Sequence, residues 1–156
     1  MLIQDDIPHS VVDKVSAPDL LVLNLSFCFL ISAYLAPAGL YWEAWMDVDP
    51  EQRLQEALAY CCASRENMVL LLGDLNMQTA LKSSQFPHSP HLSTDSGCNA
   101  RGGRLLQWCS ANNLSILNGT VAERDSPGVL TSFQAQGASV VIYAIASAAH
   151  ASWVHD

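Results

Sequence analysis

The chain has 156 residues, of which half are apolar and 14% are charged. A chain of this length suits one domain that buries its own core, and this composition excludes a disordered chain and a fibrous protein. The formal net charge of −8 argues against broad, sequence-independent contact with DNA, which requires clustered lysine and arginine. It leaves open an enzyme that neutralises phosphate with a divalent cation, because carboxylates then belong to the site.

Targeting and redox signals favour the cytosol or the nucleus. The N-terminus carries Asp5 and Asp6 where a secretory signal would be basic. The five cysteines are odd in number and lack the spacing of metal ligands, so we expect reduced thiols, three of them buried. The predicted localisation is therefore cytoplasmic or nuclear.

The first strongly apolar run, Leu20–Ala36, could suggest a membrane span. It is slightly short for one, and it is interrupted by an asparagine, two serines and a tyrosine. Two buried strands, Leu20–Leu25 and Phe29–Tyr34, explain the run better, with little room for a normal hairpin between them. We therefore expect no membrane partner.

Helices and strands alternate along the rest of the chain. The segment Asp49-Pro50-Glu51-Gln52 is typical of a helix start, and apolar residues at helical spacing extend that helix to about Ser64. The apolar strand Met68–Leu72 then ends at Gly73-Asp74, and a long loop covers residues 77 to 98. The remaining predicted elements are a helix from about Gly103 to Asn112 and short strands at Ser115–Leu117, Leu130–Gln134 and Ser139–Ala146. This alternation predicts an α/β fold with helices packed on a sheet.

The chemical signal of the sequence begins where the Met68–Leu72 strand ends. Asp74 and Asn76 are two residues apart and would point the same way if the strand geometry continued. A carboxylate that orients or deprotonates water, beside an amide that donates to a phosphate oxygen, suits phosphodiester hydrolysis. Gly-Asp-x-Asn suits a capped turn as well, and those four residues alone favour the turn.

Several segments together resemble one enzyme superfamily. Ile31-Ser-Ala-Tyr34-Leu-Ala-Pro37 resembles the tyrosine-bearing strand of the endonuclease/exonuclease/phosphatase superfamily, and Leu71-Leu-Gly-Asp74-Leu-Asn76 is similar to its signature. The later segments resemble its retrotransposon (non-LTR) endonuclease branch in order and spacing: Asp95, Asn99-Ala-Arg101-Gly, Leu105-Leu106, Leu114-Ser-Ile-Leu-Asn118-Gly, Thr131-Ser-Phe133 and Gly137-Ala-Ser139-Val-Val-Ile-Tyr143. The resemblance covers the chain from about Leu20 to Ser147.

The resemblance implies an incomplete two-sheet α/β sandwich over residues 1–147, followed by a tail of residues 148–156. It also implies a hydrolase, usually dependent on Mg²⁺, that cuts a phosphodiester bond of nucleic acid by in-line attack of water. By position, Tyr34 would contact phosphate, Asp74 would orient or activate the water, and Asn76 would support the transition state. The plainer alternatives are a surface aromatic residue for Tyr34 and turn formers for Asp74 and Asn76.

The chain departs from the family pattern in the rest of the catalytic set. Ile142 stands where the family has an aspartate, and no Asp-His dipeptide occurs, since His155-Asp156 has the reversed order. Leu2-Ile3-Gln4-Asp5 resembles the Gln-Glu metal motif, which makes Asp5 the candidate metal ligand. The first strand of the family has no counterpart and the interval from Asp5 to Tyr34 is short, so we interpret the domain as truncated.

The leading hypothesis is family membership with impaired or absent hydrolysis, because losing several members of a cooperative catalytic set costs several powers of ten in rate. The alternatives are an active Mg²⁺ endonuclease, a non-catalytic binding module and a retroelement relic without selected function. Nucleic acid is the partner that the resemblance implies, although the negative charge weakens this expectation. An exposed sheet edge could allow self-association. Arg101 and Arg104 are expected at solvated positions, with a phosphate contact as the alternative.

Overall fold

The computed structural model describes residues 7–37, 39, 47–63, 67–80, 97–118, 130–134, 137–147 and 149. Strands and helices interleave in these residues, which confirms the predicted α/β class. Two sheets are present in the described part of the chain, one of six strands and one of two. Two α-helices accompany them, and neither of these described helices is long and apolar enough to cross a bilayer.

The six-stranded sheet has the order β1-β2-β3-β4-β8-β5. Its central strands β3 and β4 are parallel, and the other neighbouring strands are antiparallel. The strands are β1 (Ser10–Val11), β2 (Leu20–Asn24), β3 (Cys28–Tyr34), β4 (Met68–Asp74), β5 (Leu114–Ile116) and β8 (Ile142–Ser147). The small sheet pairs β6 (Ser132–Gln134) with β7 (Gly137–Ser139). Because β3 and β4 are parallel, their carboxyl ends lie at the same edge of the sheet.

The first two long strands form a hairpin, so the prediction that they leave little room for one was wrong. β2 and β3 pair antiparallel from Leu20 opposite Ala33 to Asn24 opposite Phe29. A three-residue connection suffices because Ser26 adopts a left-handed conformation, with φ of 67°, and its N–H donates to Oδ1 of Asn24. Local side-chain bonding of this kind allows asparagine and serine to close tight turns.

Both helices begin at a side-chain cap. Helix α1 (Pro50–Cys62) follows Asp49, whose Oδ1 accepts a hydrogen bond from the N–H of Glu51 at 2.8 Å. Helix α2 (Ala100–Ala111) follows Asn99, whose Oδ1 accepts from the N–H of Gly102 at 2.7 Å. The predicted start near Gly103 was three residues too late, because the asparagine cap already supplies the acceptor that the first turn needs.

The strand predicted at Ser139–Ala146 is two strands. β7 ends at Ser139 and β8 begins at Ile142, with Val140 and Val141 between them. The N–H groups of Val141 and Ile142 both donate to Oγ1 of Thr131, at 2.9 and 3.0 Å, instead of to a neighbouring strand. This side-chain acceptor lets the chain pass from the small sheet into the large one without unsatisfied N–H groups.

The hydrophobic core lies between the helices and one face of the large sheet. β3 and β4 contribute their alternate residues Ile31 and Leu71, while α1 and α2 contribute buried residues that include Leu54 and Leu105. Three cysteines, Cys28, Cys61 and Cys109, are buried as predicted, and none of the five is in a disulfide. Burial raises the pKa of Cys61 and of Cys109 to about 12, so both thiols are protonated at neutral pH.

The opposite face of the sheet is partly open where β3 and β4 end. Leu72 is 38% exposed and Ile142 is 45% exposed, although both are apolar. The sheet edges in the described residues are β1, whose two residues are exposed, and β5, whose three residues are buried. Self-association through a sheet edge remains a prediction.

Candidate active site at the ends of β3 and β4

The site is a row of three side chains on neighbouring strands. In the parallel pair β3 and β4, Tyr34 is the register partner of Asp74. In the antiparallel pair β4 and β8, Asp74 is the register partner of Ile142. Register partners on adjacent strands present their side chains on the same face of a sheet. The fold therefore brings together two of the predicted catalytic residues, Tyr34 and Asp74, and places Ile142 directly beside Asp74.

The three residues are accessible from solvent to different degrees. Tyr34 is 51% exposed and Ile142 is 45% exposed, whereas Asp74 is half-buried between them. Backbone hydrogen bonds fix the ends of the strands here, since the N–H of Leu35 donates to the Asp74 carbonyl at 2.9 Å. The aromatic ring, the carboxylate and the aliphatic side chain thus form one open row on a rigid support.

Asn76 is near this row, but its side chain does not point the same way as that of Asp74 through continued strand geometry, as the spacing had predicted. β4 ends at Asp74, and Asn76 has a φ of 48°, so the two-residue alternation of a strand does not reach it. The N–H of Asn76 donates to Oδ1 of Asp74 at 3.1 Å, and its Nδ2 donates to the Leu35 carbonyl at 2.8 Å. These are the bonds of a capped turn, the plainer alternative to a catalytic pair. The second oxygen of Asp74 and Oδ1 of Asn76 accept no hydrogen bond from the described residues.

The backbone of Ile142 is held on both sides. Its N–H donates to Thr131, and its carbonyl accepts from Nδ2 of Asn118 at 2.9 Å. The N–H of Ala144 donates to Oδ1 of Asn118 at 2.8 Å, so the asparagine amide extends the β5 ladder by one step. The scaffold around position 142 is therefore intact, although the side chain there is isoleucine.

The loop that carries Asn76 is anchored by a buried tyrosine that the residue types alone did not indicate. Tyr143 is 1% exposed, and its hydroxyl donates to the carbonyls of Met77 and Val140, at 3.0 and 3.1 Å. The same hydroxyl lies 3.2 Å from Oγ1 of Thr79. Because Ile142 and Tyr143 are neighbours, β8 presents one residue to the open row and the next to the buried side of the loop. The only sequence signal was the resemblance of the segment.

The same loop also rests on the first turn of α2. The N–H of Asn99 donates to the Gln78 carbonyl at 3.1 Å, and Oδ1 of Asn99 accepts from the N–H of Gln78 at 3.3 Å. Gly102 allows this close approach, since a Cβ at that position would overlap the Gln78 carbonyl oxygen. The Asn99-Ala-Arg101-Gly segment therefore has a structural role, because it packs against the loop that follows Asp74 and hydrogen-bonds to it.

Arg101 and Arg104 form an ion cluster with Glu51. The Arg104 side chain is exposed, as predicted, whereas the Arg101 side chain is only 12% exposed. Nε and an Nη atom of Arg104 donate to the Glu51 carboxylate at 2.8 and 3.0 Å, and Nε of Arg101 donates to it as well. An Nη atom of Arg101 donates to the Ala36 carbonyl at 2.6 Å, two residues beyond Tyr34. Burial alone would raise the pKa of Glu51, but the hydrogen bonds from Arg104 and Arg101 outweigh it and lower that pKa. The cluster ties both helix starts to the end of β3.

A second acidic residue at this edge, Asp19, had no sequence signal beyond its place before an apolar strand. The N–H of Tyr34 donates to the Asp19 carbonyl at 2.9 Å, which places Asp19 next to Tyr34. Oδ1 of Asp19 is buried and has no hydrogen-bond partner among the described residues. Asp19 therefore adds a carboxylate beside the row of Tyr34, Asp74 and Ile142.

The described residues offer few ligands for a metal ion. Within the described ranges, no group of three or more histidine, cysteine or acidic side chains could hold one. The candidate ligands at the end of β4 are the Asp74 carboxylate in the row and the Asn76 amide oxygen near it. That set fits a Mg²⁺ ion only if the ion keeps several waters and takes further ligands from a phosphate, as Mg²⁺ commonly does. The predicted ligand Asp5 lies outside the described residues, as do His155 and Asp156.

Solved structures share this fold. The endonuclease domain of TRAS1, a telomere-specific non-LTR retrotransposon, is 17% identical with a TM-score of 0.57, over 92% of this chain and 57% of that chain. The Neisseria 3′ phosphatase NExo bound to a product DNA hairpin is 13% identical with a TM-score of 0.58, over 96% and 61% of the two chains. The 3′–5′ exonuclease NExo from Neisseria meningitidis is 14% identical with a TM-score of 0.58, over 94% and 60%. No family model and no curated protein matches the sequence.

These comparisons confirm the fold that the sequence motifs predicted. The chain has the fold of the endonuclease/exonuclease/phosphatase type, and it spans about three fifths of the length of the three solved structures. Identities of this size establish the fold and leave the activity to the chemistry of the site.

Proposed function

We propose that the chain is a nucleic-acid-directed domain of the endonuclease/exonuclease/phosphatase type that hydrolyses phosphodiesters weakly or not at all. The observation that carries the proposal is the register of Tyr34, Asp74 and Ile142 across β3, β4 and β8. Two members of this row have side chains suited to phosphodiester chemistry, and the third does not. The fold likeness to a retrotransposon endonuclease domain and to a DNA-bound phosphatase supports nucleic acid as the ligand.

The retained residues have separate roles in this proposal. The exposed hydroxyl of Tyr34 donates a hydrogen bond to a phosphate oxygen. The oxygen of Asp74 that Asn76 leaves free accepts a proton from, or orients, a water molecule. Asn76 fixes the other oxygen of Asp74 and ties the loop to Leu35, so it acts on the reaction by positioning the carboxylate.

The weakness of hydrolysis follows from position 142. Isoleucine can neither accept a proton, hold a cation nor orient an imidazole, yet it lies beside Asp74 on a backbone that Thr131 and Asn118 hold in place. Members of a catalytic set act as a unit, so the loss of one commonly removes most of the rate. The family resemblance places an aspartate at this position, and this chain lacks it.

Mg²⁺ is the cofactor in this proposal, and Asp74 and Asp5 are its candidate protein ligands. A bound Mg²⁺ would supply positive charge to the phosphate, which the net charge of −8 otherwise repels. Among the described residues of the row, Asp74 is the carboxylate available for this role. The assignment of Asp5 rests on its motif alone.

Fluorescence anisotropy of a labelled DNA hairpin, with and without Mg²⁺, tests the binding part of the proposal. We expect Mg²⁺ to strengthen binding to the wild type, and we expect Asp74→Asn to lose that gain while its metal-free binding is no weaker than that of wild type. Glu56→Gln removes one exposed carboxylate from α1 and serves as the matched control. A gain from Mg²⁺ that is equal in wild type and Asp74→Asn would refute the role of Asp74.

A further inference from the structure

The row at the end of β3, β4 and β8 combines three kinds of surface. The Asp74 carboxylate lies between an exposed aromatic ring and an exposed aliphatic side chain, because Tyr34 and Ile142 are its register partners. Leu72 lies two residues before Asp74 on the same face and is 38% exposed. An anion flanked by aromatic and aliphatic surface is complementary to an organic cation that has an apolar stem.

Asp19 adds an unsatisfied acceptor next to this row. Its carbonyl accepts a hydrogen bond from the N–H of Tyr34, and its Oδ1 is buried without a hydrogen-bond partner among the described residues. That oxygen is out of reach of a ligand, but Asp19 as a whole is half-buried, so its carboxylate adds negative charge beside Tyr34.

Three basic side chains in the described part of the chain already have partners. Arg101 and Arg104 are both bound to Glu51, Arg101 also donates to the Ala36 carbonyl, and the Lys14 ammonium lies over the Tyr60 ring, 5.4 Å from its centroid. The whole chain carries a formal charge of −8. This negative net charge, together with the Asp74 carboxylate in the row, favours a cation over a polyanion when no metal is bound.

We infer that the edge formed by Asp19, Tyr34, Asp74 and Ile142 binds an arginine-containing basic segment of a partner protein. The planar guanidinium stacks on the exposed Tyr34 ring and donates to Asp74, and the nearby Asp19 carboxylate attracts its positive charge. Its aliphatic stem lies against Ile142 and Leu72. Isoleucine at position 142 weakens a hydrolytic site, but in a peptide-binding site it provides apolar contact for the arginine stem. The inference does not depend on hydrolysis.

The probe for this site is a short fluorescein-labelled peptide of alternating arginine and glycine, tested with the folded full chain in the presence of a chelator at physiological ionic strength. The matched probe carries citrulline in place of arginine, which keeps the shape of the side chain and removes its charge. We expect the arginine peptide to bind and the citrulline peptide to bind at least about tenfold more weakly. Asp74→Asn and Tyr34→Leu should each weaken binding of the arginine peptide by about fivefold.

Glu56→Gln separates a specific site from general attraction, because it removes the same charge from an exposed position on α1. It should change peptide affinity by less than about twofold. Equal losses in Glu56→Gln and Asp74→Asn would overturn the inference, as would a folded wild type that fails to bind the arginine peptide. Tighter binding of labelled DNA than of the peptide in chelator would also overturn it. Because this assay contains neither metal nor a hydrolysis step, its failure is distinct from failure of the proposed function.

Discussion

Asp74 and Ile142 are register partners on the antiparallel strands β4 and β8, with the isoleucine side chain 45% exposed beside the carboxylate. Thr131 and Asn118 hold the backbone of Ile142 through hydrogen bonds to its N–H and its carbonyl, so the position of this residue is fixed. At position 142 the chain therefore differs from the family resemblance in its side chain, while the backbone around that position is held in place.

Tyr143→Phe should destabilise the fold by about 1–3 kcal/mol, because the Met77 and Val140 carbonyls would lose their buried donor. Urea unfolding followed by circular dichroism measures the change. Tyr60→Phe is the control, since Tyr60 is 40% exposed on α1 and should lose less than about 0.5 kcal/mol. Equal effects of the two substitutions would show that the Tyr143 hydroxyl does not anchor the loop.

Replacing each of the two neighbouring glycines of α2 with alanine should change the stability of the fold in opposite directions. Gly102→Ala forces a Cβ into the Gln78 carbonyl and should cost about 1–3 kcal/mol or more, because backbone atoms must move. Gly103→Ala meets nothing within 4 Å and should stabilise the helix by up to about 1 kcal/mol. Thermal unfolding of both variants checks the pair, and a neutral Gly102→Ala would contradict the close contact between α2 and the loop.

Glu51 should make stability depend on pH in the acidic range. Burial acts to raise its pKa, but hydrogen bonds from Arg104 and Arg101 leave the folded-state pKa below the ordinary value of 4.5. A carboxyl group with a lowered folded-state pKa stabilises the fold above its unfolded pKa, and this stabilisation is lost as the pH falls through the folded pKa. Wild type should therefore exceed Glu51→Gln in free energy of unfolding at neutral pH.

Urea unfolding of wild type, Glu51→Gln and Glu56→Gln from neutral pH to about pH 3 tests this dependence. The difference between wild type and Glu51→Gln should shrink below about pH 4.5, whereas Glu56→Gln should follow wild type throughout. A difference that grows on acidification would contradict the ion cluster as the source of the effect.

The sequence predicted the elements that have a strong local cause. Asp49-Pro50 marked the start of α1 within one residue, and the apolar run before Gly73-Asp74 marked β4. The motif resemblance also singled out Tyr34 and Asp74, and the parallel register of β3 and β4 places them side by side, while their catalytic roles stay a prediction. Periodicity and capping chemistry are local properties, so one sequence is enough to read them.

The relationships that sequence reasoning missed depend on tertiary contacts. The hydrogen bond from the Asn76 side chain to the Leu35 carbonyl joins residues 41 positions apart, and the pairing of Arg101 and Arg104 with Glu51 joins two helices about 50 residues apart in the chain. The buried oxygen of Asp19 is likewise visible only in three dimensions. Side-chain partners that are distant in sequence leave no periodic signal, which is why those assignments required the fold.

The measurement to make first is nicking of supercoiled plasmid by the folded wild type, beside Asp74→Ala and a chelator control. With Mg²⁺ present, we expect wild type to nick the plasmid slowly at most, within about tenfold of the rate of Asp74→Ala, because Ile142 leaves the catalytic set incomplete. Cleavage by wild type that requires Mg²⁺ and is several powers of ten faster than that of Asp74→Ala would contradict the proposed function, and would mean that Asp74 works efficiently without a carboxylate at position 142.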